Sequence, residues 1–463
     1  METQFEDIYG YKHILKTEIS RGGQGAVYRT ANPNIAMKLD LDIVENRQGT
    51  KKPNEELLRS IRNLRLLPIP RGLHLTLPIA HLKNGHGYIM TLLSDMESFD
   101  SAFYKDDQPN LPMNSWLRDM ERDNPEAAIT LAAYMYTGGL RKRLLAFLKA
   151  GCILAGLHMN GLVFCDFSPK NVFISSDRLR SNVWLIDADN VNYLDVTRYS
   201  GIYTPKYGAP EVVRGMGCSM WSDVYSFAVA LFYILTEAHP FIGPLTDGTY
   251  CDFLDEADGM IDRGEAPWIC DLEDDRNNAD SFLPADLVLN DELMSLFHCT
   301  FSQQGREKPT SRPSVYEWCP AIASHLDTLV ECTYCGMHYS PMKFECCPWC
   351  DHENSFLSVL VYNSEGEIIR RFYTEMRNEG RTEVPLRLIA GFSASQVEES
   401  LFHLSFSEEK VFASDFHPDY EINIRSGSGL ERLVGRVVLD RSVKLLCTEV
   451  QGDESCVLEV SMN

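Results

Sequence analysis

The chain has 463 residues, 44% apolar and 24% charged, which is the balance of a globular rather than a disordered protein, and it is longer than one hydrophobic core usually serves. A formal net charge of -23 repels nucleic-acid phosphates and anionic lipid headgroups, and no basic stripe offsets it, so neither nucleic acid nor membrane is an expected partner. The opening METQFEDIYG has no basic start followed by an apolar run, and the longest apolar stretch, Phe227 to Leu235, is far short of the roughly 20 residues that span a bilayer; a cytoplasmic location is expected.

In chain order, residues 8 to 100 carry short β-prone runs (AVYRT, IAMKL, GYIMTLL) broken by one helical pattern, NEELLRSIRNLRLL, in which Leu57, Ile61 and Leu64 recur at helical spacing. A small sheet carrying one helix is expected there. From about 110 to 328 the apolar period is helical: LRKRLLAFLKAGCILAGLHMNG stops at Gly161, and SDVYSFAVALFYILTEA is apolar all round, which predicts a buried helix. Five of the 14 cysteines then crowd into Cys332 to Cys350, and residues 355 to 463 return to alternating β-type runs between Gly, Ser, Asn and Asp turns. The expected class is α+β.

Asp166 and Asn171 stand five residues apart on a tight loop, GLVFCDFSPKNVFIS, between two apolar segments. A polar turn built on Pro169 would by itself account for the residue types. The spacing also resembles the D-x-x-x-x-N catalytic loop of protein kinases, in which Asp orients the hydroxyl nucleophile and Asn holds Mg²⁺. Further segments follow in the order that family requires. ISRGGQGAVYR resembles the glycine-rich loop, with Ser20 in the first glycine's place and Gly22 and Gly25 in the other two. IAMK puts Lys38 where the family's lysine pairs with α- and β-phosphates, and Glu56 falls where a helix carboxylate braces it. WLIDADN resembles the metal-site strand, with Asp187 as the Mg²⁺ ligand, although Ala188 and Asp189 replace Phe and Gly. TPKYGAPE (Thr204 to Glu211), WSDVYSFAVALFYI with Asp223, and SRPSVYEW, whose Arg312 would pair with Glu211, complete the set.

This resemblance implies a bilobal protein-kinase-like fold over residues 1–328, with a small lobe at 1–93 and a large lobe at 94–328. It implies an ATP- and Mg²⁺-dependent serine/threonine protein kinase acting on protein hydroxyls. On that footing Asp166, Lys38, Glu56, Asn171 and Asp187 carry catalysis. Ser20, Gly22, Gly25, Val27, Ala36, Lys38, Met90 as gatekeeper and Thr91 to Leu93 as hinge surround the nucleotide, with Asn171 and Asp187 on the metal. Cys165 replaces the arginine of H-R-D, which makes the chain non-RD and argues against control by a phosphorylated activation segment (Thr197, Ser200, Thr204). Ser168 stands where a lysine usually contacts the γ-phosphate, and Lys170 comes two residues late. These departures support a competing reading, a pseudokinase scaffold that binds nucleotide or partners without efficient phosphotransfer. The loop, LIDADN and the trailing cysteines together resemble a bacterial subgroup associated with tellurium-resistance-type systems, whose neighbours encode von Willebrand A proteins and metal-dependent protein phosphatases. Those are the partners the resemblance implies.

CTYCG and CPWC give two C-x2-C hairpins. Cys332, Cys335, Cys347 and Cys350 would make the tetrahedral sulfur site of a structural zinc ribbon over residues 329–354, with every coordination position taken by protein. Cys346 is a spare, and His338 and His352 are expected at the surface. Residues 355–463 most resemble a small all-β sandwich of immunoglobulin or forkhead-associated type, read as a protein-contact domain. The acid-rich run Asp252 to Asp280 is read as a solvated face.

Overall fold

The computed structural model describes residues 3–22, 25–44, 52–104, 111–177, 181–194, 203–247, 254–377, 380–407, 410–426, 429–451 and 455–463. Six antiparallel strands open the chain: β1 (Gln4–Glu6), β2 (Lys12–Gly22), β3 (Gly25–Thr30), β4 (Ile35–Leu39), β5 (Pro78–His81) and β6 (Gly87–Thr91), in spatial order β1-β2-β3-β4-β6-β5. Alternation sorts β4. Met37 and Leu39 join a small core with Ala80, Leu82 and Ile89, so Ala36 and Lys38 face the other side of the sheet. Glycine is needed where these strands close up, because a Cβ on Gly25 would run into the Leu39 carbonyl oxygen. After the single turn α1 (Leu41–Val44), helix α2 (Glu55–Leu64) starts at Asn54, whose side chain caps Leu57 N at 3.0 Å, and it buries Leu58, Ile61 and Leu64.

The second lobe is helical. Strand β7 (Met96–Ser98) and α3 (Phe99–Phe103) lead to α4 (Ser115–Asp123), α5 (Pro125–Tyr136) and α6 (Gly139–His158). Small antiparallel pairings follow: β8 (Leu162–Val163) with β11 (Asn192–Tyr193), and β9 (Val172–Ser175) between β7 and β10 (Val183–Leu185). Helices α7 (Pro210–Val213), α8 (Met220–Thr236), α9 (Leu254–Asp262), α10 (Ala285–Val288), α11 (Asp291–Phe301), α12 (Gln303–Glu307) and α13 (Val315–Asp327) complete it. The all-round apolar pattern of α8 has its expected consequence: every residue from Ser222 to Phe232 is buried. Phe227 at its centre meets Phe147 of α6 at 5.5 Å, Phe167 of the Asp166 loop at 5.4 Å and Trp318 of α13 at 6.2 Å, so one ring ties the loop to the core.

Beyond α13, β12 (Val330–Glu331) and β13 (His338–Tyr339) pair around the cysteine turns. Two antiparallel sheets follow. Strands β14 (Phe356–Tyr362), β15 (Ile368–Glu375), β19 (Tyr420–Ser426), β20 (Gly429–Arg432), β22 (Ser442–Glu449) and β23 (Ser455–Met462) run in order β15-β14-β23-β22-β19-β20. Strands β16 (Arg381–Pro385), β17 (Ser400–Ser407), β18 (Lys410–Ser414) and β21 (Val437–Leu439) make the second sheet, and residues such as Val359 and Leu445 from one and Val384 and Leu404 from the other share a core. Ion pairs fasten these sheets to the helical lobe: Arg141 to Glu375 at 3.1 Å, Arg387 to Asp327, and Lys149 to Glu398. His338, expected at the surface, is buried. Gly139, at φ +61, leaves the room its ring fills, and burial pushes the imidazole down to about 3, so it is neutral. Among the described residues no helix is long and apolar enough to cross a membrane.

Candidate active site

The loop between β8 and β9 is held from below by α8. Asp223, in the first turn of that helix, accepts the backbone N–H groups of Phe164 at 2.7 Å and Cys165 at 2.8 Å, and His158 Nε2 lies 3.0 Å from the same carboxylate. Two consecutive N–H groups converging on one carboxylate demand a sharp turn. Cys165 accordingly sits at φ +73, a left-handed conformation uncommon for a residue with a Cβ.

Asp166 comes next. Asn171 Nδ2 donates to Asp166 Oδ2 at 3.0 Å and to its carbonyl at 2.9 Å, which leaves the Asn171 Oδ1 atom as the oxygen that a cation could use. Thr204 donates to Asp166 Oδ1 from its backbone N at 2.9 Å and from its hydroxyl at 2.8 Å, and that hydroxyl lies 3.2 Å from Ser168 Oγ. Burial raises the Asp166 carboxyl above the usual carboxylate range, while the bonds from Thr204 and Asn171 and the Lys38 charge oppose it.

Asp187 is delivered by strand pairing. Val172 faces Leu185 in the β9–β10 ladder, and Ile186 N donates to the Asn171 carbonyl at 3.0 Å. Asp187 itself has φ +59, and its Oδ1 lies 3.2 Å from Lys38 Nζ. The Asn171 amide oxygen and the Asp187 carboxylate are hard oxygen donors of the kind Mg²⁺ takes. Across the small-lobe sheet, Ser20 faces Val27, Val27 faces Lys38, and Ala36 faces Met90. Directly opposed residues share a face, and so do residues two apart on one strand, so Ser20, Val27, Ala36, Lys38 and Met90 line the same side. Gly22 and Gly25 pair where the β2–β3 hairpin closes, Thr91 ends β6, and Leu93 lies two residues on.

Glu56 does not join this group. The packed stripe of α2 runs through Leu58, Ile61 and Leu64, and Glu56, about 160° around the helix from Leu58, is exposed; the ion pair of Lys38 runs to Asp187. Lys170 is exposed. Thr197 and Ser200 lie outside the described residues. Arg312 and Glu211 make the anticipated pair, bidentate at 2.7 and 2.8 Å and buried. Thr204 on Asp166 and His158 on Asp223 were not anticipated. The spacing of Thr204 from Asp166 carries no signal, and His158 reads as a helix end.

The four sulfurs of Cys332, Cys335, Cys347 and Cys350 lie within 4.8 Å of one another, with Cys332 to Cys350 and Cys335 to Cys347 each at 3.6 Å. A tetrahedral zinc with its usual sulfur bond length has an edge of about 3.8 Å, so the cluster fits zinc. Asn354 Nδ2 donates to Cys332 Sγ at 3.4 Å, and Gly336 turns at φ +78. Cys346 and the exposed His352 stand outside the set.

A family model described as a protein kinase domain matches residues 141–319, from α6 into α13. The serine/threonine-protein kinase pkn2 of Myxococcus xanthus is 32% identical over 117 residues, which are 24% of this chain and 14% of that protein. A cGMP-dependent protein kinase of Drosophila melanogaster, isozyme 2 forms cD5/T2, is 30% identical over 106 residues, 22% of this chain and 11% of that one. A titin homolog of Caenorhabditis elegans is 23% identical over 243 residues, 51% of this chain and 1% of its own length. The chain thus spans only a small part of these relatives. The matches support a protein kinase enzyme.

Proposed function

We propose that the chain is an ATP- and Mg²⁺-dependent serine/threonine protein kinase of the non-RD type, acting on a protein hydroxyl. The observation that carries this is Asp166, a carboxylate fastened by Asn171 and already bonded to a hydroxyl at 2.8 Å, with Lys38 and Asp187 beside it. Bound Mg·ATP would supply the phosphoryl group and offset its charge. Asp166 orients the acceptor hydroxyl and takes its proton, a role suited by a carboxyl whose proton affinity burial has raised. Asn171 and Asp187 would hold the metal, and Lys38 would hold the phosphates. Ser20, Gly22 and Gly25 cover them, and Val27, Ala36, Met90, Thr91 and Leu93 surround the base. The four cysteines hold a structural zinc. A place in the tellurium-resistance-associated bacterial subgroup and von Willebrand A and metal-dependent phosphatase partners follow from the sequence resemblance alone, and a cytoplasmic location is an expectation from composition and hydropathy.

The pseudokinase reading draws on Ser168 in place of a phosphate-contacting lysine and on the exposure of Lys170. Transfer of labelled γ-phosphate from Mg·ATP to a generic protein acceptor, wild type against Asp166→Asn, separates the two. A loss of about 10²-fold or more is expected for loss of a positioned base. Equal incorporation by both proteins would leave only the scaffold.

A further inference from the structure

Six cysteines outside the four-sulfur cluster fall in three neighbouring pairs: Cys165 with Cys218, Cys152 with Cys319, and Cys447 with Cys456, the last directly opposed across the β22–β23 ladder. The first pair adjoins Asp166, and the fold explains why the two sulfurs meet. The Cys165 N–H is held at 2.8 Å by Asp223 of α8, and Cys218 immediately precedes Ser219, the N-cap of the same helix. One buried helix end therefore positions both backbones, and Cys218 Sγ comes within 3.9 Å of the Cys165 carbonyl oxygen. Cys165 is buried, whereas Cys218, in the loop after α7, is half-buried. A small oxidant can reach the second sulfur first.

We propose that Cys165 and Cys218 are a redox modification site, forming a reversible disulfide with a hydroperoxide and thereby shutting the adjacent active site. In the first step the Cys218 sulfur attacks one peroxide oxygen, the O–O bond breaks, and a sulfenic acid and one water result. In the second the Cys165 sulfur attacks the Cys218 sulfur, the S–O bond breaks, and a second water leaves. Two thiols lose two electrons and two protons, and hydrogen peroxide is reduced to two waters. The neighbouring Cys218 thiol, followed by burial, raises the Cys165 thiol well above its usual range, which agrees with Cys218 reacting first. A disulfide bond of about 2.05 Å is much shorter than the contact of two unbonded sulfurs, so the backbones of Cys165 and Cys218 must draw together. Asp166, the next residue, shifts with Cys165 and loses register with Asn171 and Thr204.

The second half of this proposal rests on the kinase reading; the first does not. The full-length protein is treated with graded hydrogen peroxide, free thiols are blocked, and a non-reducing digest is mapped by mass spectrometry while phosphotransfer is measured in parallel. A Cys165–Cys218 cross-linked peptide is expected, with phosphotransfer down at least about tenfold and restored by dithiothreitol. Cys218→Ser should resist peroxide, and Cys456→Ser, which breaks the pair in the β-sheets, should stay as sensitive as wild type. Absence of the cross-link at full oxidation overturns the site. A cross-link with unchanged phosphotransfer, or equal inactivation of Cys218→Ser, overturns the shut-off. A chain that transfers no phosphate at all sinks the kinase reading, while the peptide map still decides the thiol pair.

Discussion

Arg312→Met probes the junction that anchors the far end of the segment running from Thr204 to Glu211. The guanidinium gives Glu211 two bonds, at 2.7 and 2.8 Å, and also donates to the carbonyls of Gly305 at 2.7 Å and Trp221 at 3.0 Å; its carbon lies 4.7 Å from the Tyr225 ring centroid. The side chain is 0% exposed and that of Glu211 8%. Methionine fills most of the space but leaves the carboxylate with the Ser222 hydroxyl, at 2.8 Å, as its recorded donor. Breaking a buried pair from one side costs about 3–5 kcal/mol, chiefly the stranded charge, whereas removing both partners is close to neutral. Arg312→Met should therefore lower local stability by about 3–5 kcal/mol, and Glu211→Met/Arg312→Met should recover most of that loss. A chain with more than one core does not unfold in a single step, so the readout is native-state hydrogen exchange of amides 209–226 rather than a global midpoint. Phosphotransfer should fall as well, because the segment joining Glu211 to Thr204 loosens. A single variant losing under about 1 kcal/mol, or a double variant as damaged as the sum of the singles, would falsify the stranded-charge account.

Because burial raises the Asp166 carboxyl, phosphotransfer should be lost as pH falls through a point above the ordinary carboxylate range, and Thr204→Val, which removes one stabilising bond, should move that limb of the kcat/KM profile upward. Burial also pushes Glu375 upward, but the charge and hydrogen bonds of Arg141 outweigh it and hold the carboxyl at about 2, against an ordinary 4.5. A lowered carboxyl stabilises the fold above about pH 4.5 by roughly 3 kcal/mol at most, and that contribution fades toward pH 2. Proteolysis between the helical lobe and the β-sheets should accelerate over that window in wild type and lose its pH dependence in Glu375→Gln. Elemental analysis should find about one zinc per chain, and Cys335→Ser or Cys347→Ser should lose it; metal-free wild type with unchanged resistance to proteolysis would remove the structural role.

What the sequence disclosed follows from how far apart in the chain each contact lies. Asp166 and Asn171 are local, so their spacing carried the loop, and the all-round apolar pattern of Ser222 to Leu235 marked α8 as buried before any packing was known. The shared face of Ser20, Val27, Lys38 and Met90 depends on strand register, which a resemblance can suggest and only pairing can fix. Glu56 stays away from Lys38: Glu55 and Glu56 are adjacent on a ten-residue helix, and which one turns inward depends on how Leu58, Ile61 and Leu64 dock. Here neither does. His338 was placed at the surface because four cysteines already fill the zinc site, yet a glycine nearly two hundred positions earlier makes the space it fills. Thr204 reaches Asp166 across 38 residues with no pattern to announce it.

The contacts also divide the site mechanically. Asp166, Asn171, Asp223, Glu211 and Arg312 belong to one block, tied through buried bonds to the buried helix α8 and braced from behind by α6 and α13, which carry ion pairs to the β-sheets. Lys38 belongs to the other block, the small-lobe sheet, and its recorded ion pair with Asp187 crosses between the two. A movement of the sheet against the helical lobe would change the Lys38 contact while the spacing of Asp166 and Asn171, both on the loop after β8, stays unchanged. On the proposed reading, positioning of the base lies in the block tied to α8, and Lys38 reaches across from the sheet toward the phosphate-bearing ligand.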